Sequence, residues 1–141
     1  MTMRTMGLDL GTRNIGVAVS DELGITAQPV TTVRRRTLAA DLAELKTLAQ
    51  AHQVEKWVVG LPLHMNGSEG PKAVQARQFG AALENASGRP VEFFDERLST
   101  RSAERVLLEA DMSRRKRRQV IDRLAAVIIL QGWLDQRGAR P

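Results

Sequence analysis

Apolar and polar positions fall in short blocks along the first third of the chain and then change to helical spacing. Residues 3–10 and 15–20 are two apolar runs separated by Gly11, Thr12, Arg13 and Asn14, a length that suits only a tight strand-to-strand turn. A third apolar-leaning run, 25–33, contains Pro29, which cannot donate to a ladder and marks an edge or interrupted strand. Thr37 can then cap a helix reaching about His52. Its Leu38, Leu42, Leu45 and Leu48 share one face, and Asp41 sits near the positive end of its dipole.

Residues 56–62 form a nearly continuous apolar run after this helix, as a strand buried on both faces would. Residues 64–70 make a polar, glycine-containing loop, and in open α/β sheets the loops at strand carboxyl ends are where ligands bind. Pro71 suits the first position of a helix with Val74, Phe79, Ala82, Leu83 and Ala86 turned inward, which the stretch 87–90 stops. Residues 91–94 form the last strand and run into Asp95, Glu96 and Arg97. Ser99 or Thr100 caps a helix with Ala103, Val106, Leu107 and Ala110 on one stripe, and a final helix covers 120 to about 134. Three strands, helix, strand, helix, strand and helices predict an α/β fold, a mixed sheet with helices on both faces. With no repeat or linker, the 141 residues read as one domain over 1–137, with 138–141 as a frayed tail.

Composition narrows the chemistry. Without cysteine there are no disulfides, thiol nucleophiles or thiolate metal sites, which fits a reducing cytoplasm. His52 and His64 are the only histidines, so a metal would be held by carboxylates, which favours Mg²⁺ or Mn²⁺. No run approaches the length of a membrane helix, and the opening residues carry no signal-peptide pattern. The net charge is +5, and it is local. Arg114, Arg115, Lys116, Arg117 and Arg118 are consecutive, and the remaining bases and acids balance. Such a run serves as a phosphate-binding patch or as a solvated helix start. Arg34, Arg35 and Arg36 form a second cluster.

Against that background the acidic positions stand out. Asp9 lies between Leu8 and Leu10 on the first strand, so it faces away from both, among Gly7, Gly11 and Gly16. A carboxylate on a central strand needs a cationic partner, either a bound ion or a neighbouring arginine. Asp95 and Glu96 stand at the end of the last strand. Asp122 opens a stripe continued by Ala126, Ile129 and Trp133, which aims it at the sheet's end unless it pairs with Arg118 one turn back. Converging carboxylates repel unless they hold cations, and two divalent ions can drive an in-line phosphodiester displacement. His64 stands near this site as a loop residue, proton donor or phosphate contact. Asn66 could contact substrate or simply shape a turn.

The motif at 7–21, with those at 59–67, 95–100 and 122–131, resembles the YqgF/RuvX family in order and spacing across nearly the whole chain. The resemblance implies the ribonuclease H-like fold: a five-stranded mixed sheet with strand two antiparallel and helices on both faces. It also implies a divalent-metal nuclease that matures the 5′ end of the small-subunit ribosomal RNA precursor. The family's acidic triad falls on Asp9, Glu96 and Asp122 as catalytic and metal-holding residues, with Asp95 as the alternative to Glu96. Arg13, Asn66 and the run Arg114 to Arg118 are the expected nucleic-acid contacts, and His64 and Arg97 are further candidates. Arg13 and Asn14 depart from the Lys-Arg pair common in the family. The expected partner is nucleic acid, RNA ahead of DNA, in ribosomal precursor particles. The chain would act as a monomer or a homodimer, and no membrane is involved.

Three other readings compete. A four-way DNA junction resolvase would be a two-fold dimer, because the junction presents two symmetric cuts. A nucleotide-binding domain is suggested by the stretch 9–12, which resembles the phosphate-gripping hairpin of actin-like ATPases, but it would need a second domain. A non-catalytic RNA-binding or ribosome-assembly factor would not require the carboxylates.

Overall fold

The computed structural model describes residues 4–98 and 114–138. Strands β1 (Arg4–Leu10), β2 (Asn14–Ser20) and β3 (Ala27–Arg34) are followed by α1 (Leu38–Ala51) and β4 (Val54–Leu61). Then come α2 (Pro71–Ser87), β5 (Val91–Asp95), a 3-10 turn at Glu96–Leu98 and α3 (Arg114–Gly138). The five strands form one sheet in the order β3-β2-β1-β4-β5. β2 runs antiparallel to both β1 and β3, whereas β1, β4 and β5 are parallel. The expected mixed sheet with an antiparallel second strand is therefore present.

Local chemistry explains the boundaries. Gly11 N–H donates to the Asn14 carbonyl at 2.9 Å, which closes the β1–β2 turn. Pro29 lies on edge strand β3 opposite Ala18, where the register shifts by a bulge. Thr37 caps α1 by accepting the Ala40 N–H at 3.1 Å. Pro71 begins α2, and Gly88 ends it in the left-handed conformation at φ 68°.

Each face of the sheet has its own core. Met6, Leu8, Val17, Val33, Trp57 and Val59 pack with Leu45 of α1 and Phe79 and Leu83 of α2. On the other face Ala18, Val58 and Phe94 pack with Ala126, Ile129, Leu130, Trp133 and Leu134 of α3. Complete burial of an aliphatic side chain such as Leu130 stabilises by about 1.5–3 kcal/mol. Gly7 lets α3 approach the sheet, since a Cβ there would meet Leu130 Cβ at 2.7 Å. Both tryptophans are core residues, Trp57 fully buried and Trp133 nearly so.

Some expectations need correction. α2 buries Ala73, Ala76, Phe79, Gly80 and Leu83, whereas Val74 and Ala86 are exposed. The helix is rotated so that small residues meet the sheet. Leu38, expected on the inner face of α1, is exposed in the first turn. Helix α3 begins at Arg114 rather than near residue 120, so the basic run forms its first turns. Arginine and lysine are good helix formers, and nothing in the run stops the helix. The expected helix with Ala103, Val106, Leu107 and Ala110 lies outside the described residues, as do Ser99, Thr100 and residues 139–141. Among the described residues, no helix is long and apolar enough to cross a membrane.

Candidate active site

A cleft of about 630 Å³ opens at the carboxyl ends of β1 and β4. Its lining comes from both sides of the sheet. Asp9, Gly60, Glu96, Ala125 and Ile129 face it from the α3 side. Arg35, Lys72, Gln75 and Ala76 enclose it from the side of α2.

Strand alternation places Asp9. Leu8 and partly buried Leu10 pack into the core under α1 and α2, so Gly7 and Asp9 turn toward α3. The same alternation separates the two acids that end β5. Phe94 packs under α3, so Asp95 turns to the opposite face, and the chain then enters the 3-10 turn with Glu96 in the cleft. Both Asp9 and Glu96 are half-buried.

Gly60 lies near the end of β4, beside Glu96 and under α3. A Cβ on it would stand 2.5 Å from Glu96 Oε1 and 2.6 Å from Ile129 Cδ1. The space that any other residue would occupy is where the Glu96 carboxylate rests.

Asp95 has a different environment. The Arg97 guanidinium donates to both of its oxygens, from Nε at 3.0 Å and from Nη2 at 2.7 Å, and the Arg97 backbone N–H adds a bond of 2.9 Å. The Arg97 side chain holds the Asp95 carboxyl below its usual range, and its own guanidinium is stabilised in the charged form. Arg97 also donates to the Met65 carbonyl at 3.2 Å, tying the loop after β4 to the end of β5. It is a strap at the margin of the site.

Other expected site residues are dispersed. Asn66 Oδ1 accepts from Ser68 N–H at 3.0 Å and Ser68 Oγ–H at 2.7 Å, so its side chain shapes the loop turn. His64 closes the same loop through its backbone, and its ring packs on Gly70. Arg13 is exposed at the tip of the β1–β2 turn, beside the cleft residues Gly11 and Thr12. Asp122 lies on α3 one turn before Ala125 and Ala126, and Arg114 to Arg118 precede it. The side chains of all six are outside the described residues.

Three polar side chains of the cleft were not named as site residues from the sequence: Arg35, Lys72 and Gln75. The signal for the last two was available. A helix that starts at Pro71, just beyond a strand's carboxyl end, carries Lys72 and Gln75 on its first turns toward the ligand side of the sheet. Arg35 belonged to a visible cluster, but only the fold separates it from Arg34 and Arg36.

The donor set suits a hard cation. Asp9 and Glu96 offer carboxylate oxygens on one wall, in space kept open by Gly60. Among the described residues, no group of three His, Asp or Glu side chains is placed to hold a metal. The third expected carboxylate, that of Asp122, lies outside that set.

The strand order and the antiparallel second strand define a ribonuclease H-like fold. Two solved structures of Thermus thermophilus RuvC share the fold. One aligns with a TM-score of 0.61 over 96% of each chain, and the other, bound to a Holliday junction substrate, with 0.59 over 97%, both at 16% identity. A family model described as RuvX, Holliday junction resolvase, matches residues 3–136, and the chain belongs to that family. Relatives include a Moorella thermoacetica protein 63% identical over 136 residues, 96% of this chain and 97% of that one. A Myxococcus xanthus protein is 63% identical over 133 residues, 94% and 88% of the two chains. Both are provisionally named pre-16S rRNA nucleases.

Proposed function

We propose that this protein is a metal-dependent nuclease that hydrolyses phosphodiester bonds in the 5′ maturation of the 16S ribosomal RNA precursor. The observation that carries the reading is the convergence of Asp9 and Glu96 on the space beside Gly60, at the carboxyl edge of a ribonuclease H-like sheet. The names of the relatives support the choice of RNA.

Asp9, Glu96 and Asp122 would hold Mg²⁺ or Mn²⁺, which supplies a Lewis acid able to activate water and neutralise phosphate charge. The chain's own part is positional. Asp9 is fixed by the β1 ladder, paired with Gly16 across the hairpin. Glu96 is held by the turn that the Asp95–Arg97 pair tightens. Pro62, Ile128 and Ile129 give the cleft apolar walls that limit bulk water. Arg114 to Arg118 would add salt-sensitive attraction for the phosphate backbone. The cytoplasm, with its precursor ribosomal particles, is the proposed setting.

The test is a gel assay on end-labelled RNA spanning the precursor 5′ junction, comparing wild type with Asp122→Asn in Mg²⁺, Mn²⁺ or chelator. A four-way DNA junction runs alongside. RNA cleavage that requires both metal and Asp122 is expected. Equal products from the mutant would overturn the site, and symmetric cuts in the DNA junction alone would make the protein a resolvase, as the family description reads.

A further inference from the structure

Among the described residues, six bases outside the cleft are already paired with a carboxylate. Arg4 pairs with Glu22, Arg36 with Glu44, Arg77 with Glu69 and Arg97 with Asp95, and Lys56 and Arg137 share Glu92. Lys72 in the cleft has no such partner among the described residues, and neither its ammonium nor the Gln75 amide one turn later makes a hydrogen bond there. Both are exposed.

Arg35 on the same wall is held differently. Its Nη1 donates to the Gly11 carbonyl at 2.9 Å, and its backbone N–H donates to the Arg13 carbonyl at 2.8 Å. The guanidinium lies 5.8 Å from the Phe79 ring centroid, and its Nε stands 4.0 Å from Oδ2 of buried Asp41. One hydrogen bond, a ring contact and a carboxylate at the limit of pairing distance thus hold the guanidinium, yet Nη2 has no bonded partner among the described residues and the side chain keeps 35% exposure.

A nucleic-acid strand lying across the sheet edge would have carboxylates on its α3 side and these donors on its α2 side. We propose that Arg35, Lys72 and Gln75 form a phosphate-binding wall. It would grip a backbone phosphodiester adjacent to the one presented to Asp9 and Glu96. Arg35 supplies a directed N–H donor, Lys72 a point charge and Gln75 a neutral amide donor. Through its bond to the Gly11 carbonyl, Arg35 also ties the gripped phosphate to the hairpin that carries Asp9. This inference rests on the nuclease reading above.

The experiment measures fluorescence anisotropy of a labelled RNA spanning the precursor 5′ junction, in Mg²⁺, across a series of KCl concentrations. The Asp122→Asn background keeps the RNA intact. Lys72→Gln should weaken binding about fivefold and reduce the slope of log affinity against log salt by about 0.7, the value for one lost contact to a single strand. Gln75→Ala and Arg35→Lys should weaken binding with the slope unchanged, because no charge is lost. Lys46→Gln, on α1 away from the cleft, should match the background protein. Thermal melts of each variant separate lost contacts from lost folding. If the background protein binds RNA with a clear salt slope and Lys72→Gln behaves as Lys46→Gln does, the wall is refuted and the nuclease reading stands. If the background protein shows no salt-dependent binding, the nuclease reading itself falls.

Discussion

Arg97 reaches back two residues and closes both carboxylate oxygens of Asp95, whereas Glu96 between them enters the cleft with Asp9. Two neighbouring acids thus stand in separate environments. The pair at 95 and 97 tightens the turn, and the residue between them is presented to the site.

The two acids should therefore respond differently to substitution. Glu96→Gln and Asp9→Asn are expected to lower RNA cleavage by more than about 100-fold, beyond the usual cost of losing a residue that merely supports a metal ligand. Asp95→Asn should leave measurable cleavage. Rates from the gel assay, with circular dichroism to confirm folding, check the contrast. An Asp95 variant as inactive as the Glu96 variant would reverse the assignment.

The same pair gives a pH dependence of definite sign. Arg97 lowers the Asp95 pKa in the folded protein, so the stabilisation is present above the unfolded value near about 3.9 and is lost as pH falls through the folded value. The melting temperature of wild type should exceed that of Asp95→Asn at neutral pH, and the gap should close on acidification below about pH 4. A gap that stays constant down to pH 2 would mean the carboxylate charge is not what tightens the turn.

Metal should stabilise the folded chain through the cleft. Bound cation relieves the repulsion between converging carboxylates and shifts folding by mass action. Thermal melts are expected to rise with added Mg²⁺ or Mn²⁺ in wild type and to fall back in chelator. In Asp9→Asn the rise should be much smaller.

Two glycines test packing against function. A Cβ at Gly7 would stand 2.7 Å from Leu130 Cβ and 3.3 Å from the Ala126 carbonyl oxygen, with α3 unable to yield locally. Gly7→Ala should destabilise by about 1–3 kcal/mol, read from urea unfolding. At Gly60 the nearest atoms, Glu96 Oε1 at 2.5 Å and Ile129 Cδ1 at 2.6 Å, are the ends of two side chains rather than helix backbone. Gly60→Ala should therefore reduce cleavage by a larger factor than it reduces stability.

The Gln131 amide adds a polar tie to the apolar packing of α3 on the start of edge strand β3. Gln131 Oε1 accepts the Ala27 N–H at 2.9 Å, and Nε2 donates to the Ile25 carbonyl at 2.9 Å. Gln131→Ala leaves both backbone groups to water and should cost about 1 kcal/mol. Hydrogen exchange at Ala27 should accelerate more than exchange in β1. Uniform acceleration would indicate global unfolding instead.

Much of this molecule was legible in the sequence because the information is local. The Gly11 turn, the Thr37 cap, the Pro71 start and the Gly88 stop each depend on a few adjacent residues, and period-two alternation sent Asp9 away from its leucine neighbours. What alternation could not settle was which acid at the end of β5 shares the cleft with Asp9. That depended on Phe94 packing under α3 and on the 3-10 turn that follows. Helix phase was another such case. Val74 and Ala86 fit an apolar stripe as well as Ala73 and Ala76 do, and only the sheet selects the rotation that buries the smaller residues. The α2 wall of the cleft was the least legible part. Arg35 joins Gly11, Asp41 and Phe79 across four separate segments, and no sequence spacing records that meeting. The sequence by itself determined the elements, their order and the acidic character of the strand ends, because backbone sterics, capping and side-chain period act over a few residues. The tertiary structure decided which acids converge and which bases face them, because that choice is made by packing between segments far apart in the chain.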